Sequence, residues 1–500
     1  MIKSNGGIIG PDNVTTGGAF GTASGVFKLG EVTNLIKESK WPTAGPQGFQ
    51  VANSCRFDDG SSDNLTRSNP GAGNVRTWTY SVWFKLSLLP AAYRLFSIGT
   101  GASGPIFSIF FTAGDLRIEN DNASTNVLGF RTDQVFTDPG AWSHLVVACD
   151  TTQGTEANRF KIYHNGTQIT SFSTSNYPAV NADTYVNGTT GSSTIGARAA
   201  SPSNTYFDGY MSEVVIIDGQ QLTPTSFGEF NSQTGIWVPK VVTGLTFGTN
   251  GFYQNYSNSG ALGEDFSGED NDFTVNNLTS LDQSTDTCST NFATLNPLIS
   301  KGNESQTQVL SQGNLTVAAN QASWCHSRGT FGASSGKWYW EAKITGTMGN
   351  LNIGVSNAAT NVFGGTVQSL SGNTSIYANG QYNINGSITG SQSPTFSSGD
   401  ICGVALNMDD NTVSFYKNGT ILSWGTNLAI SGGTDDVWLP ASAVYKSDGA
   451  SSPVIEFNFG SPPYAISSGN TDGNGFGNFE YAVPTGYLSL NTKNLAAVLA

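Results

Sequence analysis

The sequence predicts an all-β protein made of two tandem antiparallel β-sandwich domains behind an extended N-terminal anchor. Three observations carry that expectation. First, one hairpin occurs twice: Arg-Phe-Lys-Ile-Tyr-His-Asn-Gly-Thr-Gln-Ile at 159–169 and Thr-Val-Ser-Phe-Tyr-Lys-Asn-Gly-Thr-Ile-Leu at 412–422. In both, an alternating strand runs into Asn-Gly, the pair that supplies the two positive-φ residues of a tight hairpin turn. Second, each copy follows a strongly apolar strand, Leu145–Cys149 and Ile401–Leu406. Third, only 12% of residues are charged, and Gly, Ser, Thr and Asn carry the polar surface. That mix suits short strands and turns rather than helices.

Residues 1–47 differ from the rest. They are Gly-rich, with one short helical pattern in which Val32, Leu35 and Ile36 share a face before Trp41-Pro42 ends it. Such a segment has no core of its own and must pack on another body. Residues 48–240 read as the first sandwich, with strands at Thr77–Leu86, Arg94–Ile98, Ile106–Phe111, Asp115–Glu119, Trp142–Cys149, the hairpin and Tyr206–Ile217. Thr223-Pro224 reads as a helix cap with Pro at the first position, giving a turn through Phe230. Residues 241–300 read as an irregular connector and 301–465 as the second sandwich. The second core signals are Lys337–Ile344, Leu351–Val355, Ile401–Leu406 and Val454–Phe459. Residues 466–500 form a tail whose end, 491–500, can make a short apolar helix that needs a docking surface.

A net charge of −14 argues against a nucleic-acid partner. Met1 to Gly10 hold one Lys and no apolar run, so they do not read as a signal peptide. No segment approaches the roughly eighteen apolar residues of a membrane span. The five cysteines (55, 149, 288, 325, 402) lack zinc or redox spacing and read as reduced and buried.

The strings Thr77–Leu86, Ala141–Val147, Lys161–Gly166 and Phe207–Tyr210 with Glu213 make the first sandwich resemble the LamG-like, concanavalin A-type jellyroll. Gly336–Glu341, Asn352–Ser356, Gly399–Leu406 and Val413–Gly419 make the second resemble the SPRY fold. The linking segments Asp218–Pro224, Gly235–Lys240, Gly248–Tyr253, Phe273–Leu278, Asn291–Pro297 and Val483–Leu488 resemble tail-fibre or appendage proteins of marine bacteriophages. That resemblance implies a virion structural protein, assembled in the host cytoplasm, that adheres to a host-surface glycan or protein. It further implies contact with other virion proteins through the N-terminal segment, and a homo-oligomer for which a trimer is one form. Without coiled-coil heptads, such a trimer would be held by the sandwiches or the N-terminal segment. The alternatives are a purely structural capsid or tail decoration protein and, third, a polysaccharide-degrading tailspike enzyme.

No catalytic residue, cofactor or metal is assigned. Glycoside hydrolysis needs two carboxylates facing one bond, and no strand carries Glu-x-Asp-x-x-Glu. The acidic run Glu264, Asp265, Glu269, Asp270, Asp272 reads as a solvated loop, with calcium as an alternative. Asp58–Asp63 reads as a turn between the first strands. It too could supply oxygen ligands for calcium, although its spacing misses the EF-hand pattern. His144, His164 and His326 have no zinc-ligand spacing. Trp78, Trp83, Trp338 and Trp340 lie on strands and read as core. The candidate ligand-binding residues are therefore sought on loops. They are Tyr377 and Tyr382 in a Gly/Asn-rich insertion, and Asp435, Asp436 and Trp438 before the last strand.

Overall fold

The computed structural model describes residues 8–12, 23–27, 49–68, 71–88, 93–100, 106–121, 126–199, 205–232, 234–298, 308–320, 324–346, 350–360, 372–430, 436–446 and 452–499. All statements of structure below concern these. Near the N-terminus, Ile8–Asp12 pairs antiparallel with Ala23–Phe27; the helix expected at 32–36 lies outside the described residues. From residue 49 on, the chain divides into two compact units that meet in sequence at Ser289 and Thr290.

Each unit is a pair of antiparallel sheets, so the all-β tandem-sandwich architecture stands. In the first unit, one sheet is ordered Thr167–Ile169, Phe160–His164, Trp142–Asp150, Thr77–Leu86, Gly209–Asp218, Ser54–Phe57, Gln283–Ser284, with Phe252–Gln254 added on Gly209–Asp218. The other is ordered Phe172–Asn176, Asn126–Val135, Asp115–Asp121, Ile106–Thr112, Tyr93–Gly99, Ser192–Ile195, Asn64–Ser68, Thr274–Asn276. Residues two apart on a strand share a face. Trp78, Tyr80, Val82, Phe84 and Leu86 therefore enter one core with Phe96, Phe107, Ile109 and Phe111 of the facing sheet.

Two expectations are corrected here. Residues 241–289 are no loose connector. Three of their short strands pair with Gly209–Asp218, Asn64–Ser68 and Ser54–Phe57 and complete both sheets. The helical turn at Thr223-Pro224 is one 3-10 turn, Pro224–Ser226. The chain then enters a hairpin, Gly228–Phe230 with Trp237–Pro239. There Phe230 packs edge-on against Trp237, which an extended backbone allows.

In the second unit, a nine-stranded sheet follows the order Gln308–Ser311, Thr316–Ala319, Pro453–Asn458, Lys337–Gly346, Ile401–Asn407, Thr412–Lys417, Thr420–Ile421. Leu428–Ala429 and the parallel Leu488–Ser489 are attached to it. It faces a six-stranded sheet ordered Trp324–Arg328, Trp438–Tyr445, Asn350–Asn357, Asn373–Tyr377, Tyr382–Ile384, Ser387–Thr389. The tail ends in the helix Thr492–Leu499. Its docking surface is this same unit: a Cβ on Gly336 would lie 2.7 Å from Val498.

The two copies of the hairpin use one device. Asn165 and Asn418 each accept, through Oδ1, the N–H of a residue at the start of the preceding strand, His144, third in its strand, in one case and Ile401, first in its strand, in the other, both at 2.8 Å. Gly166 and Gly419 both have φ +78°. Each is roofed by an aromatic ring from further down the chain: a Cβ would meet Trp237 at 2.4 Å and Tyr481 at 2.6 Å. Glycine is needed for the turn and again for the ring to close on it.

Candidate functional site

The four loop candidates within the described residues do not form one surface. Asp435 lies outside the described residues. Trp438 is 1% exposed and opens the strand Trp438–Tyr445, with its backbone N–H and C=O both bonded to Ala333. It is core, not loop, because positions 438, 442 and 444 point toward the facing sheet. Asp436 accepts a bond from Asn357 Nδ2 at 2.8 Å. Tyr382 is partly exposed and stacks on Trp424, with ring centroids 6.1 Å apart. Tyr377 is also on a strand, buried, on the sheet face away from the core.

That outer face is the most distinctive chemical surface of the second unit. Leu351, Ile353 and Val355 point inward, so Asn352, Gly354 and Ser356 point outward. Register then extends the outer face across the sheet. One row is Trp324, Tyr445 and Asn350; the next is His326, Ala443, Asn352 and Tyr377. The third is Arg328, Ala441, Gly354, Ser375 and Asn383, and the fourth brings Ser356 beside Asn373. Small residues form the floor. At Gly354 a Cβ would come within 2.2 Å of the Thr374 carbonyl.

Polar groups are buried here without full satisfaction. Arg328 is 4% exposed; its Nη2 donates to Ser356 Oγ at 2.7 Å and to the Thr360 carbonyl at 2.8 Å. Its Nε has no partner, and neither do Asn373 Oδ1, Ser375 Oγ or either amide atom of the fully buried Asn383. A buried polar group left unpaired costs about 1–3 kcal/mol, so such a concentration points to a bound polar group. Burial lowers the Arg328 guanidinium to about 10, which leaves it charged at neutral pH. Burial, and then the Arg328 charge, lowers His326 to about 4, so its ring is neutral. Burial raises the Tyr377 hydroxyl, while the Asn352 side chain pulls the other way. The recess lined by His326, Arg328, Asn352, Ser356, Asn373 and Ser375 encloses about 20 Å³, room for about one water. Beside it, Trp324 and Tyr445 form a partly exposed aromatic pair, centroids 5.6 Å apart.

Sequence reasoning found Tyr377 but missed Trp324, His326 and Arg328. The signal was present: Trp324-Cys325-His326-Ser327-Arg328 alternates, with the three large polar or aromatic residues on one face.

The first unit offers less. His144 is fully buried and stacked between Trp83 and Trp237. The Trp237 indole can only donate, so His144 Nδ1 accepts at 3.0 Å and Nε2 carries the proton to Ser81 Oγ at 2.8 Å. Burial holds His144 at about 3, neutral, as befits a packed core group. His164 meets Gln134 Nε2 at 2.9 Å and Ser143 Oγ at 3.2 Å. The acidic loop is not wholly solvated as expected. Asp265 is buried and accepts from the N–H groups of Tyr253, Ser267 and Asn271, because its carboxylate ties the loop to a strand. The Asp58–Asp63 turn is internally bonded, Gly60 N–H to Asp58 Oδ1 at 2.9 Å and Asp58 N–H to Asp63 Oδ2 at 3.0 Å. Among the described residues, no group of three or more His, Cys, Asp or Glu is arranged to hold a metal ion.

Comparison with known proteins adds to this geometry. Residues 59–226 match the family model of the concanavalin A-like lectin/glucanases superfamily, and residues 337–450 match the model of the SPRY domain. The chain thus carries a LamG-like, concanavalin A-like domain followed by a SPRY domain. Among solved structures it is similar to the SPRY domain of human HERC1, at 18% identity over 33% of this chain and 96% of that one, TM-score 0.26. It is also similar to a heptameric SAP-like pentraxin from Limulus polyphemus, at 17% identity over 35% and 80%, TM-score 0.27. A putative carbohydrate binding protein from Bacteroides ovatus matches at 14% identity over 46% of this chain and 59% of its own length, TM-score 0.33. No curated protein matches the chain.

Proposed function

We propose that this protein is a non-catalytic adhesin that takes a saccharide on the outer face of the six-stranded sheet of its SPRY domain. One observation carries the reading: a partly exposed aromatic pair, Trp324 and Tyr445, stands one row from a recess of buried, unpaired polar groups. Aromatic faces hold the apolar side of a sugar ring, while hydroxyl, amide and guanidinium groups bond its hydroxyls. The lectin-type family model of the first domain is in keeping with this.

The test is binding of the labelled full chain to a panel of immobilised oligosaccharides. Trp324→Ala should weaken the best ligand about five- to thirtyfold, the loss of a stacking platform of roughly 1–2 kcal/mol. Unchanged affinity in this variant would sink the assignment of the face.

We further place the protein on a bacteriophage virion appendage, as a homo-oligomer joined to other virion proteins by its N-terminal segment. The support is the resemblance of the linking segments to phage appendage proteins. Several copies would raise a modest single-site affinity through effective concentration. An antibody to residues 301–465, followed by immunogold microscopy of intact particles, should label the distal end of a tail fibre. Label over the head would favour a decoration role, and unlabelled particles would remove the virion assignment.

A further inference from the structure

We propose that the recess is built for an oxyanion carried by the saccharide, a carboxylate or a sulfate, seated against Arg328. This rests on the saccharide reading above and names the class of sugar.

The charge balance is the first support. The chain holds 36 acidic against 22 basic side chains, yet among the described residues the recess is lined by one arginine and no carboxylate. Among the described residues, Arg328 has no carboxylate partner: its Nη groups are met only by the Ser356 hydroxyl and the carbonyls of Ala358 and Thr360. Elsewhere in the second unit a lysine is neutralised locally, Lys417 by Asp400 at 2.8 Å. A buried cation without a counter-ion is costly, and an incoming anion removes that cost. The second support is the surplus of donors. Arg328 Nε, Ser375 Oγ and Asn383 Nδ2 are buried and lack an acceptor, against two unpaired acceptors on the same face, Asn373 Oδ1 and Asn383 Oδ1. An oxyanion offers several lone pairs to such donors, and arginine binds carboxylate and sulfate-like groups with charge-assisted bonds.

Size sets what enters. The recess is partly open and its roughly 20 Å³ holds about one water, so it admits one oxygen of the oxyanion while the rest of the group stays at the mouth. The ring must lie across the mouth, toward Trp324 and Tyr445. Trp324 and Arg328 are four residues apart on one strand, roughly 13 Å, so the ligand is longer than one sugar.

The experiment titrates the full chain with a uronate-containing oligosaccharide, the same oligosaccharide after carboxyl reduction, and a sulfated counterpart. One acidic form should bind about tenfold or more tightly than the reduced form. The carboxylated and sulfated arms tell which oxyanion is taken. Arg328→Gln should erase that preference, bringing the acidic and reduced forms to equal affinity. NMR of the unmodified chain gives a second readout that does not depend on the folding of this variant. The His326 ring signal should shift with the acidic oligosaccharide and stay still with the reduced one. Equal affinity for acidic and reduced forms overturns the proposal and leaves the saccharide reading standing. Failure of every oligosaccharide to bind overturns that reading, and the oxyanion with it.

Discussion

Replacing Asp286 by Ala should destabilise the first sandwich by about 3–5 kcal/mol, the range for removing one partner of a buried ion pair. Lys85 Nζ and Asp286 Oδ2 lie 2.8 Å apart, with side chains 1% and 2% exposed. Asp286 also accepts the Trp142 indole N–H at 3.0 Å. Without the carboxylate, a charged amine is left buried without its counter-ion near the end of the Thr77–Leu86 strand. Hydrogen exchange reads the effect locally, and the amides of Tyr80 to Phe84 should exchange a hundredfold or more faster, roughly 3 kcal/mol. Asp183→Ala is the control. Its pair with Arg76 is shorter, 2.6 Å, but both side chains are about half exposed, so its loss should cost under about 1 kcal/mol. Equal effects of the two substitutions would show that burial does not set the difference.

The second large effect is expected at Glu341. This fully buried carboxylate accepts the backbone N–H groups of Glu480 and Tyr481 at 3.0 and 2.8 Å, the Asn458 amide at 3.2 Å and the Tyr339 hydroxyl at 3.3 Å. It pins the 478–481 segment onto the nine-stranded sheet, over Tyr339, Ala405 and Phe479. Burial raises its pKa, and the four bonds pull it back down. Glu341→Ala leaves two backbone donors without acceptors, at about 1–3 kcal/mol each. The expected result is rapid protease cleavage within 466–487 while the Ile401–Asn407 strand stays protected. Glu341→Gln, which keeps one carbonyl oxygen, should fall between. A tail that stays resistant in the Ala variant would mean that Phe479 and its apolar neighbours hold it alone.

The fold was legible because its signals are local. Alternation marked Thr77–Leu86 and Lys337–Ile344, and Asn-Gly marked both turns. Strands without apolar alternation escaped: Asn64–Ser68, Phe172–Asn176 and Ser192–Ile195 are short and rich in Ser, Thr and Asn. They are strands because neighbours complete their ladders, a tertiary cause that composition does not carry. The same holds for Phe252–Gln254, Thr274–Asn276 and Gln283–Ser284, three residues or fewer each. The candidate site was hidden for a related reason. Its residues come from five strands spread from Trp324 to Asn383 and on to Tyr445, and only the register brings them into rows. Trp438 misled because an aspartate pair before a Trp resembles a loop, whereas the strand starts at the Trp itself.

The pieces that complete each sandwich come late in the chain, and this fixes an order of events during synthesis. The ring over Gly166 is supplied by Trp237, and the counter-ion of Lys85 by Asp286. The lectin-type family match, in contrast, ends at residue 226. About sixty residues separate that point from Asp286, roughly three to twelve seconds of translation. Through that interval the nascent first domain carries an uncovered turn, an internal lysine still without its Asp286 carboxylate and a bare edge at Ser54–Phe57, the conditions under which strands pair with a neighbouring chain. The second domain waits in the same way for Tyr481 and the Leu488–Ser489 strand, which follow its hairpin turn by about sixty residues or more.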